Sequence, residues 1–136
     1  MNVLPFINRL SDAGVGVQGE SLFAYMMPAE ASSAVMVRTD LNGAKINHQL
    51  PGYFKTRVQV IARDTSYQAA DARMSAALTA LTLEEGAVLE DATTRMTFNF
   101  CRPVSLPAAF PLSTGNLIEF NVFMEVCFVL ETINAG

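Results

Sequence analysis

Residues 117–130 constrain the fold more than any other stretch of the chain. Their side chains alternate with a period of two: Phe120, Val122, Met124, Val126 and Phe128 face one way, and Asn121, Phe123, Glu125, Cys127 and Val129 the other. That pattern predicts a long β-strand with one face in a core. A second face carrying Phe123, Cys127 and Val129 is too apolar for plain solvent, so helices or a neighbouring subunit must cover it.

The partner for this strand is predicted at residues 93–102, where Met96, Phe98 and Phe100 alternate with Thr97, Asn99 and Cys101. Residues 53–63 alternate equally well. Phe54, Thr56, Val58, Val60 and Ala62 form one face, and Lys55, Arg57, Gln59, Ile61 and Arg63 a partly exposed basic one. Shorter strands are predicted at residues 22–27, ended by Pro28, and at 34–39. The Asn42-Gly43 pair that follows is a hairpin signal, because both residues tolerate positive φ. Between residues 103 and 115, Pro103, Pro107 and Pro111 predict an irregular surface loop.

Two segments have helical spacing. Val3, Leu4, Phe6, Ile7 and Leu10 predict a short amphipathic helix with Pro5 in its first turn and Gly14 as its stop. Residues 67–83 carry Ala70, Met74, Ala77, Leu78 and Leu81 on one stripe, capped by Asp64-Thr65-Ser66 and ended by Glu84-Glu85-Gly86. Its alanines let it lie close on a sheet. The order predicts an α+β fold, a mostly antiparallel sheet with two main helices packed on it, in a single domain over residues 1–136.

Chemistry is sparse. His48 has no second histidine or cysteine nearby for zinc or for a thiol–imidazole pair, and no nucleophile elbow exists for it to serve. Gly14-Val15-Gly16-Val17-Gln18-Gly19 has the dinucleotide-loop spacing, but it follows a helix and precedes a strand, the reverse of what a pyrophosphate site needs. The pairs Glu84-Glu85 and Glu90-Asp91 lack calcium-loop spacing and read as solvated turns. Cys101 and Cys127 sit in apolar runs as small hydrophobes. No catalytic residues, cofactor or metal are expected. The first residues lack a basic stretch before an apolar run, so no signal peptide is expected; nor is a membrane span, which needs roughly 18 consecutive apolar residues.

Composition indicates association. Charged residues make up 16% of the chain against 51% hydrophobic, too little charge to cover a free surface. A net charge of −4 argues against a general nucleic-acid face. Lys55, Arg57 and Arg63 on one strand face, with Tyr53 and Tyr67 near, read as a polar sheet face or a salt-bridged subunit interface.

The run Leu50-Pro51-Gly52-Tyr53-Phe54-Lys55-Thr56-Arg57-Val58-Gln59-Val60-Ile61-Ala62-Arg63-Asp64 leads into the helix at 67–83. Then come Thr97-Phe98-Asn99-Phe100-Cys101-Arg102-Pro103, a proline-rich segment and the strand Ile118-Glu119-Phe120-Asn121-Val122-Phe123-Met124-Glu125-Val126. In this order, with an N-terminal helix entering a loop, the chain resembles the tail-terminator family of tailed phages, akin to tail-completion and minor capsid proteins. The resemblance implies a virion protein of the head–tail junction, assembled in the host cytoplasm. It would form a homohexameric ring that caps the tail tube, ends its polymerisation and offers the head a joining surface. Its partners would be copies of itself, the tail tube protein and a head-side connector protein, with DNA passing through without specific binding. Six copies at −4 give a ring of about −24, which repels phosphate. The alternative is a head-side connector or minor capsid protein docked on the portal. The residues placed at a subunit or tube interface are Asn42, Lys45 and His48 in the loop at 40–52, Lys55, Arg57 and Arg63 on the basic face, and the aromatics Phe110 and Phe123. The loops at 40–52 and 103–116 are expected to order on assembly.

Overall fold

The alternating C-terminal segment is one strand that organises a seven-stranded sheet. The computed structural model describes residues 2–40, 44–111 and 117–133. Its elements run α1 (Leu4–Asp12), β1 (Leu22–Ala24), β2 (Ala34–Thr39), β3 (Tyr53–Asp64), α2 (Tyr67–Leu81), β4 (Val88–Glu90), β5 (Thr94–Pro103), β6 (Ala108–Pro111) and β7 (Ile118–Thr132). The strand order is β1-β2-β3-β7-β5-β4, with β6 pairing with β7. Among the described strands β1 and β2 pair parallel and the other pairings are antiparallel, so the expected α+β architecture holds.

At the centre β3 and β7 pair from Tyr53↔Val129 to Asp64↔Ile118. This register stacks Val58, Val60 and Ala62 beside Met124, Val122 and Phe120, all buried. Both helices lie on that face. α1 contributes Phe6, Ile7 and Leu10, and α2 contributes Ala70, Met74, Ala77 and Leu81. Four rings run through the core in sequence. Phe6 meets Phe98 edge-on at 5.8 Å, Phe98 meets Phe128 at 5.6 Å, and Phe128 meets Phe54 at 5.6 Å.

The helix ends follow local chemistry. Gly14, at φ 77, takes the left-handed position just past the C-cap of α1. Ser66 caps α2 by accepting from the Ala69 N–H at 3.1 Å. α2 stops at Leu81, two residues short of the expected end, because Thr82 turns extended and Leu83 pairs with Cys101.

Three expectations for the strands are corrected. β1 is shorter than predicted because Tyr25 has φ 67, which turns the chain out of the strand. The proline-rich segment is not wholly irregular. Ala108–Pro111 pair with β7 beyond the end of β5, and Pro107 and Pro111 flank or end that strand, where a missing N–H is tolerated. The alternation of β5 also breaks. Its register moves from Phe98↔Phe128 to Phe100↔Cys127, so Asn99 is an extra residue, a β-bulge. Beyond the bulge the faces exchange: Cys101 is buried opposite Val126, and Phe100 lies on the other face beside Cys127. Asn42-Gly43 lie outside the described residues; the strands they were expected to join, β2 and β3, do pair antiparallel.

Asp64 ties β3, α2 and the start of β2 together. Its Oδ1 accepts from the Thr65 N–H at 2.7 Å and the Ser33 hydroxyl at 3.0 Å, and its Oδ2 from Arg73 Nε at 3.1 Å. Burial alone would raise its pKa, but these donors and the Arg73 charge outweigh that and hold the carboxyl below its ordinary value.

Two stability predictions follow from this packing. Phe98→Ala, which empties the middle of the ring series, is expected to cost about 3–5 kcal/mol in urea unfolding. Asp64 has a lowered folded pKa, so its contribution is complete above the unfolded value near pH 4 and fades as pH falls through the folded one. Asp64→Asn is therefore expected to cost about 1–3 kcal/mol at pH 7, with the gap to the unaltered chain closing on acidification; a constant gap down to pH 2 contradicts this.

Candidate assembly surface

Because both helices pack on one side, the other side of the sheet carries no helix among the described residues. The strand registers lay its side chains out in rows. Arg57 of β3, Glu125 of β7 and Arg102 of β5 form one row. Lys55 Nζ lies 3.8 Å and Arg102 Nη2 3.5 Å from the same Glu125 Oε1, so one carboxylate serves two cations. These are exposed ion pairs of little stability. Arg102 also stacks over the Phe100 ring at 4.2 Å. In the next row Arg38 Nε donates to Gln59 Oε1 at 2.6 Å, and Gln59 stands opposite Phe123.

Apolar groups are interleaved with these charges. Phe123 and Phe100 are half-buried, and Val129 is exposed. Residues 104–107 bulge out between β5 and β6, with the Val104 N–H bonded to the Phe123 carbonyl at 3.0 Å; Leu106 in this segment is 89% exposed. At the β1 side a cleft of about 520 Å³ is lined by Tyr25, Met26, Met27, Met36 and Ile61 together with Arg38, Gln59, Arg63 and Glu119. Met26 is 77% exposed there. Methionine-lined clefts adapt to the shapes of partners.

Arg63 builds the wall of this cleft. Its guanidinium is 2.8 Å from Glu119 through both Nε and Nη2, and its Nη1 donates to the Pro28 and Ala31 carbonyls at 3.1 Å each. With only 12% of its side chain exposed, it pins the segment after β1 to the sheet.

Of the residues expected at an interface, Lys55, Arg57, Arg63 and Phe123 share this open face. Lys45 and His48 are exposed in the segment between β2 and β3, where Ala44 and Ile46 border a notch of about 240 Å³ against Phe54, Phe128 and Leu130. Asn42 lies outside the described residues. Phe110 pairs with Glu119 in β6, and its side chain lies outside the described residues. Sequence reasoning missed Arg102 and Phe100 because the bulge at Asn99 carries them onto this face. It also missed Arg38, although alternation with the core residue Val37 signals it.

The thiols are occupied with structure. Cys127, on the open face, has its Sγ 3.1 Å from the Tyr53 hydroxyl, and the hydrogen bond and charge of this thiol raise the Tyr53 pKa. Burial pushes the Cys101 thiol up to about 12. Among the described residues no group of three or more His, Cys, Asp or Glu could hold a metal ion, and no helix is long and apolar enough to cross a membrane. What the face offers is arginines, aromatics and methionines on rigid strands, the materials of a protein–protein contact.

The family model described as "Bacteriophage tail terminator protein" matches residues 9–126 of the chain. No curated protein matches it. Among solved structures, a chain of the "Virion of native gene transfer agent (GTA) particle" shares the fold, with a TM-score of 0.63 over 91% of each chain at 13% identity.

The geometry separates a structural arginine from a surface one. Arg63→Ala is expected to cost about 3–5 kcal/mol, because it strands the buried Glu119 carboxylate. Arg57→Ala is expected to stay within about 0.5 kcal/mol. Thermal or urea unfolding of the two variants checks the contrast.

Proposed function

Because the chain belongs to the bacteriophage tail terminator family, we propose that it forms the ring that caps the tail tube, ends tube polymerisation and gives the head its joining surface. It is a structural protein of the phage tail and a component of the virion. The observation that carries the finer reading is the open sheet face, a wide surface rich in arginine, aromatic and methionine side chains that no helix among the described residues covers. A free monomer gains nothing from such a surface; a ring subunit buries it.

Termination follows from asymmetry. A ring whose one end mates with the tube, and whose other end differs from a tube end, accepts no further tube subunit and leaves that end for the head. Copies of net charge −4 give the assembled ring an acidic balance, which lets DNA pass without adhering.

Light scattering and negative-stain microscopy of the purified protein, alone and with tail tubes, test this reading. The expected result is a ring of about six copies, or density closing one end of each tube, with no retention of double-stranded DNA at physiological salt. A monomer that ignores tubes but binds portal complexes moves the protein to the head side. A monomer that binds neither overturns the assembly reading, and tight DNA binding overturns the repulsive channel.

A further inference from the structure

Charge is divided unevenly over this molecule. Six of the nine basic residues stand on the open sheet face: Arg38, Lys55, Arg57, Arg63, Arg95 and Arg102. Five of the thirteen acidic residues share it: Glu90, Glu119, Glu125 and Glu131, and Asp40, which continues the alternation of Arg38 and whose N–H bonds to the Arg57 carbonyl at 3.3 Å. The face therefore carries one positive charge in excess, while the rest of the chain carries five negative ones. The excess centres on Glu125, whose one carboxylate is shared by Lys55 and Arg102 with Arg57 opposite it in register.

The complementary group lies at the sheet edge beyond β5. Glu84 and Glu85 are both exposed, and neither is ion-paired among the described residues. Their turn is held firmly against β5. Leu83 pairs with Cys101, the Gly86 N–H bonds to the Phe98 carbonyl at 2.9 Å, and the Ala87 N–H to the Glu84 carbonyl at 3.1 Å.

We propose that the occupant of the open sheet face is a second copy of this chain, whose Glu84–Glu85 turn seats among Arg57, Arg102 and Lys55. The inference rests on the ring reading above and deepens it by naming which surfaces meet. The two surfaces are different parts of one molecule, a face and an edge, so the contact is heterologous. Each copy uses its face on one neighbour and its turn on the other, and a closing rotation gives a ring rather than a two-fold dimer. Phe123, Phe100 and Val129 supply apolar area between the charges, which a protein surface covers and a phosphate backbone does not. Glu125 in the middle of the row further disfavours nucleic acid.

Charge reversal tests this, with particle mass as the readout. Arg57→Glu combined with Arg102→Glu, and separately Glu84→Lys combined with Glu85→Lys, are each expected to weaken self-association about tenfold or more at low salt. An equal mixture of the two variants restores it, because reversed face meets reversed turn and unaltered turn meets unaltered face, in alternating copies. The milder pair Arg57→Gln with Arg102→Gln, checked by its melting temperature, gives a partial loss with the fold intact. Association that both reversals leave unchanged, or that the mixture does not recover, overturns the inference. So does an unaltered chain that stays monomeric with and without tubes, or one whose open face binds double-stranded DNA in a manner lost on reversal. Capping of tubes is read separately as tube length. Capped tubes with an unaffected mass pattern overturn this contact alone, and uncapped tubes with the predicted mass pattern overturn only the terminator reading.

Discussion

The pairing of β3 with β7 sets the position of everything else. Side chains alternate with a period of two, so a slip of one residue in this register would turn Val58, Val60 and Ala62 away from Met124, Val122 and Phe120 and open the core. The same register sets the opposite face, placing Arg57 against Glu125 and Gln59 against Phe123. Core and open face are two sides of one alignment, and a sequence change that improves one at the expense of the register loses both. The two strands are separated by α2 and three further strands, so the alignment is a long-range contact that forms only when much of the chain is in place.

Much of this was legible from residue pattern. The alternation in β3 and β7 gave their faces correctly, and the spacing of Phe6, Ile7 and Leu10 identified α1 and its buried side. The bulge at Asn99 was not legible, because an inserted residue leaves the local composition unchanged while exchanging the faces beyond it. It moved Cys101 into the core and carried Phe100 and Arg102 out. β6 was hidden for a different reason: prolines discourage strand assignment, yet a short strand tolerates them at its ends. Arg57 and Arg63 look alike in sequence, two arginines on one strand face. Only tertiary contacts with Glu119 and with the carbonyls of Pro28 and Ala31 make one of them structural.

The polar groups divide by task along the same sheet. Where a charge is shielded, as at Asp64 and Glu119, it is met by several donors and holds elements of the chain together. Where charges are open to water, as around Glu125, the pairs are long and add little to stability. Weak pairs of this kind are easily exchanged for intermolecular ones, since giving them up costs the monomer almost nothing.

The outermost strands, β1 and β4, are each three residues long. A sheet edge is a template: its unpaired N–H and C=O groups can recruit a strand from another chain, and a long flat edge invites unlimited addition. Edges this short offer too few hydrogen bonds to hold a recruited strand. A virion protein that must meet other chains without prolonging its own sheet has a safeguard against fibre formation written into its backbone.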